Sequence, residues 1–238
     1  MNQPQIAAAE QASDEAAPRT LAELAYMRLR RHIIEGHYPP GAKLRVEHLK
    51  DDYGVGAGTL REALTRLVSD ALVIAEGQRG FRVTPVSLQD LADLTRLRIH
   101  IEVDALRQSV RGGDAQWERR VREAFERLSA YEQPISLARL PAWEACNRVF
   151  HEQLISAAAT PWTYHVLRIL SQHGERYRRL AVGLENSARD VHHEHQEIFD
   201  AAMRRADARA ALALEAHIST TLTLLQQLPV ERSPLAGR

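Results

Sequence analysis

From Leu21 onward the apolar positions fall at helical spacing. Leu21, Leu24, Ala25, Leu29 and Ile33 recur every three or four residues and predict a first helix. The pattern stops at EGHYPPG, where glycine and proline interrupt it. Val46–Tyr53 reads as a short second helix closed by Gly54, and GVGAG as a tight turn. A third helix over 59–70 carries the stripe Leu60, Ala63, Leu64, Leu67 and Val68. The runs ALVIAE and GFRVTP, separated by GQRG, are β-prone and read as a hairpin. Helix, helix, turn, helix, hairpin is the order of a winged helix-turn-helix.

After Pro85-Val86-Ser87 the pattern becomes wholly helical, with candidate helices at 88–111, 114–131, 142–158, 162–184, 187–205 and 208–228. Such helices joined by short loops make a bundle. The expected fold is therefore mainly α, an N-terminal winged helix-turn-helix followed by an all-α bundle. Its expected divisions are a disordered tail at 1–18, the winged helix at 19–86, a helical effector-binding and dimerisation domain at 87–228, and a tail at 229–238.

Composition adds exclusions. With 45 % hydrophobic and 26 % charged residues the chain has the balance of a soluble globular protein. No apolar run approaches the ~20 residues that span a bilayer, and the first residues lack the basic-then-apolar order of a secretory signal. The single cysteine, Cys146, excludes an internal disulfide framework. These features predict a cytoplasmic protein with no membrane partner. Formal net charge is zero, with 31 basic and 31 acidic side chains, although 19–86 holds eleven basic against eight acidic ones. That bias is too mild to decide whether nucleic acid is a partner.

The third helix offers more. Its stripe leaves Thr59, Arg61, Glu62, Thr65 and Arg66 facing outward. Arginines suit phosphates and guanine edges, and threonines suit phosphates and thymine methyls. Gly58, with Gly56, leaves backbone N–H groups uncovered at the helix start, where a phosphate is welcome. Arg79 and Gly80 sit at the hairpin tip, where an arginine suits the edge of the minor groove. Gly58, Thr59, Arg61, Thr65, Arg66, Arg79 and Gly80 are thus the candidate contacts to double-stranded DNA. The competing reading is an ordinary solvated face.

Three segments taken in order change that balance. IIEGHYPPGAKL, YGVGAGTLREALTRLVSDALV and GQRGFRV together resemble the GntR family of bacterial transcription regulators. A helical second domain of this size is similar to the family's FCD subgroup, and TPW with ERYRRLAV is similar to its carbon-starvation-induced branch. The resemblance implies a homodimer on a palindromic operator, repression as the commoner sign, and a small carboxylate effector. Most members start the recognition helix with Ser-Arg-x-Pro, whose arginine reads a base. Here Gly56-Ala57-Gly58-Thr59 stands instead, which implies an altered operator, with Arg61 keeping the family's second helix arginine.

In the bundle, polar groups interrupt apolar stripes. Asn147 and His151 lie among Phe150, Leu154 and Ile155, His195 among Ile198, Phe199 and Ala202, and His217 among Leu214, Ile218 and Leu225. Arg98 joins Leu91, Leu94, Ile101 and Ala105, with Glu102 one turn on. Three arrangements satisfy them: a structural network with Glu102 pairing Arg98, a divalent metal of Zn or Ni type, or a metal-free carboxylate pocket. FCD domains that bind metal use Asp-x-x-x-His and two later histidines. The resemblance implies Asn147, His151, His195 and His217 as the metal set, in contact with the effector, and Arg98 as its carboxylate partner. The amide of Asn147 is a neutral, weaker ligand than the family's aspartate. His192 and His193 are expected on the surface, and Arg176 or Tyr177 on one side of the pocket. A small helical metalloenzyme using His151, His195 and His217 is the alternative, weakened by the lack of an obvious general base.

Overall fold

The computed structural model describes residues 20–132, 135–136, 138–182, 189–228 and 235, apart from the side chain of Gln78. The tails expected at 1–18 and 229–238 lie outside these residues, Leu235 excepted. Helix α1 (Leu21–Ile34) starts at Thr20, whose hydroxyl accepts the Glu23 N–H at 3.1 Å. Strand β1 (Lys43–Leu44) leads into α2 (Val46–Tyr53), which ends because Gly54 adopts φ 64°. Helix α3 (Ala57–Ser69) and strands β2 (Val73–Ala75) and β3 (Phe81–Val83) complete the unit. The sheet is antiparallel in the order β1-β3-β2, with Leu44 opposite Phe81 and Ile74 opposite Arg82. Leu29, Leu44, Leu60, Leu64, Leu67 and Leu72 are wholly buried between helices and sheet.

Two details differ from expectation. The turn GVGAG gives its last two residues, Ala57 and Gly58, to α3. Glycine costs about 1 kcal/mol in a helix interior, but Gly58 lies in the first turn, and burial of Leu60 anchors that turn. Strand β1 has only two residues, too few for an alternating pattern to show.

The second unit consists of α4 (Leu88–Gly112), α5 (Ala115–Ser129), α6 (Leu140–Ile155), α7 (Pro161–Val182), α8 (Val191–Met203) and α9 (Asp207–Gln226). Ser87, Asp114 and Asp190 cap α4, α5 and α8 through side-chain oxygens on the third following N–H, at 3.0, 2.7 and 2.9 Å. Packing is mainly α4 on α9, α8 on α9 and α5 on α6. Trp117, Leu128, Phe150 and Leu154 form its dry centre, beside the stacked rings of Phe125 and Phe199 at 4.4 Å.

Helix α7 joins the two units. The Tyr177 hydroxyl donates to Asp90 at 2.6 Å and accepts the Ser87 N–H at 3.1 Å, within a cluster of Val86, Leu91 and Leu225. Arg176 donates to the Thr84 carbonyl at 2.5 Å. Both residues therefore hold the junction and do not wall the bundle pocket, contrary to the sequence expectation. Asp70, which caps the C-terminus of α3, takes three further contacts: Tyr26 from α1 at 2.5 Å, Arg168 at 3.1 Å, and the His173 ring to its carbonyl at 3.0 Å. The end of α3 is thus tied directly to α7.

Near this junction Glu175 is partly buried, and desolvation together with the Glu144 carboxylate pushes its pKa up to about 7, against Arg178, Arg30 and Arg148. Its folded pKa exceeds the unfolded value. The stability it contributes is complete below about pH 4.5 and is lost as pH rises through about 7. Glu175→Gln removes this loss. Thermal melts at pH 5 and pH 8 are expected to differ less in the variant than in the parent, by up to ~3 kcal/mol for a shift of this size.

Candidate functional site

In α6, Asn147 and His151 are one turn apart and share the inward face. His195 from α8 is fully buried, and His217 from α9 is nearly so. The three rings meet with centroids 4.4 Å apart for His195 and His217, 5.2 Å for His151 and His217, and 5.6 Å for His151 and His195. One nitrogen of each lies within 4.8 Å of the other two.

Each ring is held from behind by a carboxylate. The Nδ1 of His195 is 2.6 Å from Glu132, that of His217 is 2.7 Å from Glu194, and that of His151 is 3.4 Å from Glu102. The carboxylates are anchored in turn. Arg98 reaches Glu102 at 2.7 Å, Arg189 grips Glu194 with two bonds at 2.9 and 2.7 Å, and the indole N–H of Trp143 reaches Glu132 at 3.3 Å. Carboxylates behind imidazoles fix ring orientation and raise donor strength.

The opposite side of the cluster offers unpaired ligand atoms. His151 Nε2, His195 Nε2 and the Asn147 Oδ1 are buried and have no hydrogen-bond partner. Orphaned buried polar atoms are rare and costly. Three carboxylates, Glu102, Glu132 and Glu194, face two guanidiniums, Arg98 and Arg189, around the rings, an excess of one acidic group that favours a cation. Burial, with the neighbouring His195 and His151, holds His217 well below its ordinary pKa. Burial likewise takes His151 down to about 4, despite the opposing Glu102. Burial alone would raise Glu102, but Arg98 and His151 outweigh it and bring it to about 2. A neutral imidazole with a free nitrogen is the form that ligates a metal, and His151 meets both conditions.

A cavity of about 30 Å³ adjoins the cluster, walled by Arg98, Asn147, His151, Tyr164 and Arg178 among others. That is room for roughly two waters.

Sequence reasoning placed Arg98, Asn147, His151, His195 and His217 on inward stripes, and the structure brings all five together. It missed Glu132, Glu194 and Arg189. Glu194 sat in view within HHEH. Glu132 and Arg189 lie outside helices, where no periodicity points a side chain. His192 corrects an expectation: it is half-buried, with its Nδ1 3.0 Å from Glu132, because Glu132 projects toward α8 and offers a second oxygen. His193 is exposed as expected.

In the first unit, Arg61, Thr65, Arg66, Gly58 and Arg79 are exposed, with Thr59 and Gly80 partly so. No side chain caps α3, whose N-cap is Gly56, so its first N–H groups are open to solvent. The Thr65 hydroxyl donates to the Arg61 carbonyl at 2.8 Å, and the Arg66 guanidinium lies over the Tyr26 ring at 4.5 Å. Arg61 has no such engagement. Gly80 takes φ 94° at the end of the hairpin turn, a conformation that favours glycine.

A winged helix-turn-helix tied to a helical domain with a buried polar centre defines a DNA-binding transcriptional regulator. Two family models match the chain: bacterial regulatory proteins of the gntR family over 21–83, and the FCD domain over 93–220. The HTH-type transcriptional regulator BphR of Paraburkholderia xenovorans is 44 % identical over 219 residues, covering 90 % of this chain and 89 % of BphR. The HTH-type transcriptional repressor GlaR of Escherichia coli is 30 % identical over 207 residues, 85 % of this chain and 94 % of GlaR. A GntR regulator structure from Rhodococcus sp. RHA1 shares the fold at TM-score 0.71 and 21 % identity, covering 87 % of this chain and 99 % of that one. The chain belongs to the GntR family of bacterial regulators, with an FCD domain as its second unit. No helix among the described residues is long and apolar enough to cross a membrane.

Proposed function

We propose that this regulator responds to a small carboxylate bound in the FCD domain beside a divalent ion held by Asn147, His151, His195 and His217. The convergence of two orphaned imidazole nitrogens and one orphaned amide oxygen carries this reading. The ion supplies a Lewis-acidic anchor for the effector. Arg98, already tied to Glu102, presents its remaining N–H groups to the effector from the cavity wall. The cavity is too small for a dicarboxylate, so binding requires its walls to move.

Helix α7 turns that movement into a signal. Arg168 forms part of the cavity wall and also holds Asp70 at the end of α3. A ligand that displaces α7 changes how the recognition helix is held, and the differential affinity for the two arrangements sets the size of the response. We assign the DNA-contacting role to Gly58, Thr59, Arg61, Thr65 and Arg66 of α3 and to Arg79 and Gly80 of the wing. A homodimer reads a palindromic operator, since each winged helix supplies one half-site. Repression is proposed from the relative GlaR, described as a repressor.

Metal analysis of tag-free protein, purified without chelator, tests the centre. About one divalent ion per chain is expected in the parent and none in His217→Ala. An equal metal content in the two proteins, or none in either, removes the ion from the proposal and leaves Arg98 with three imidazoles as the carboxylate site.

A further inference from the structure

A second cleft, of about 500 Å³, lies outside the histidine centre, between α1 of the DNA-binding unit and α6 and α7 of the FCD unit. One wall is apolar, from Met27, Ile34 and Leu140. The opposite chemistry comes from Arg30, Arg31 and Arg179, none of which makes an ion pair among the described residues. Two polar atoms at this cleft are buried without a partner: the Nε–H of Arg30, a donor, and the Oε1 of Gln172, an acceptor on a side chain 94 % buried. Two residues of one lining thus hold an unmet donor and an unmet acceptor just beneath the cleft surface, and buried groups of that kind demand a counterpart, which a turn of either side chain would bring within reach of an occupant.

Of the four glutamates in the lining, Glu35 pairs with His37, Glu152 with Arg148, and Glu175, which feels the charge of Arg30, makes no ion pair with it among the described residues. Glu144 is committed to Arg178 through two bonds at 2.8 and 2.7 Å. A volume of this size suits a whole organic ligand.

We infer that the interdomain cleft is a second ligand site, taking an amphipathic organic anion whose acidic group meets Arg30, whose N–H or O–H donor meets Gln172, and whose apolar body lies on Met27, Ile34 and Leu140. This site does not depend on the histidine centre or on any metal. Because its walls come from both units, an occupant binds only the arrangement in which α1 faces α6 and α7. It therefore stabilises that arrangement and changes operator affinity by linkage. Arg148, Glu152, Tyr164, Arg168, Ser171 and Arg178 line both cavities, so the two ligands would act on the same stretch of α6 and α7.

The probe is 8-anilinonaphthalene-1-sulfonate, which carries a sulfonate, one N–H donor and an apolar ring system. Its fluorescence is titrated with the full chain. The expected result is one saturable class of site per chain, weakened at least tenfold in Arg30→Ala and abolished in Ala145→Trp, which fills the cleft from its partly exposed wall. His217→Ala binds as the parent does. Circular dichroism melts confirm that each variant is folded, and Arg30→Lys restores part of the affinity. No saturable binding, binding indifferent to both Arg30→Ala and Ala145→Trp, or binding lost in His217→Ala overturns the inference. The last outcome would place the probe in the bundle cavity instead.

Discussion

Stripping the divalent ion is expected to lower the melting temperature of the parent by about 10 °C, and to leave His217→Ala unmoved. The size follows from linkage. A site kept at about a thousand times its dissociation constant stabilises the fold by about 4 kcal/mol, and a domain of 150–250 residues shifts by roughly 2–4 °C per kcal/mol. The direction follows from where the ligands lie. Asn147 and His151 come from α6, His195 from α8 and His217 from α9, so an ion held by them would tie three helices that are distant in sequence. Without it, orphaned acceptors stay buried at the centre. His217→Ala lacks one ligand and starts at the stripped level, so chelator finds nothing to remove. Differential scanning fluorimetry with and without EDTA, followed by readdition of Zn²⁺ or Ni²⁺, is the measurement. Equal chelator shifts in parent and variant would show that the ion sits elsewhere.

The helices and inward polar positions were legible in the sequence, because both rest on a period of 3.6 residues. That period put Arg98, His151, His195 and His217 on the correct faces, although it says nothing of what lies across the core. The carboxylates behind the rings show the limit. Glu132 reaches His195 from a loop 63 residues away, and Arg189 supports Glu194 from the segment just before α8. Such pairings arise from tertiary packing and leave no local trace. Arg176 and Tyr177 failed for a related reason. Their helix faces two partners along its length, and periodicity does not say which partner meets which residue. The start of α3 failed on a local rule, because glycine signals a turn even where the first helical turn tolerates it.

Helix α7 links the histidine centre to the end of α3, which makes Asp70 informative. Its carboxylate takes Tyr26 and Arg168 while its carbonyl takes His173, so three side chains from two helices converge on the last turn of α3. Burial leaves the His173 imidazole with a lowered pKa, so it is neutral at physiological pH and contributes a directional hydrogen bond without charge. A joint built from hydrogen bonds of this kind has discrete positions, which is the property a two-state switch requires. The cation–π contact of Arg66 with Tyr26 belongs to the same joint. That leaves Arg66 less free to read DNA than Arg61, and it separates the outward residues of α3 into two groups.

Arg61→Ala is accordingly expected to cost more operator affinity than any other single change in α3. Its side chain is exposed on the N-terminal half of the helix, the half that in this motif enters the major groove, and no side-chain hydrogen bond, ion pair or ring contact among the described residues restrains it. A side chain bound to one base edge is worth about 1–3 kcal/mol. A dimer loses the contact in both half-sites, so the expected loss is roughly 2–6 kcal/mol for independent sites, about 30-fold or more in dissociation constant. Thr65→Ala is the internal control. Its hydroxyl already donates to the Arg61 carbonyl, so removal is expected to change affinity by only a few-fold. Fluorescence anisotropy on a labelled operator and on an unrelated duplex, at two salt concentrations, separates the possible roles. If Arg61 reads a base, the variant loses affinity for the operator and approaches its own affinity for the unrelated duplex, with little change in salt slope. If it contacts phosphate, both duplexes weaken together and the slope falls by about one unit per arginine. A variant that binds the operator as tightly as the parent would remove Arg61 from the interface, and with it the carry-over of the family's second helix arginine to this chain.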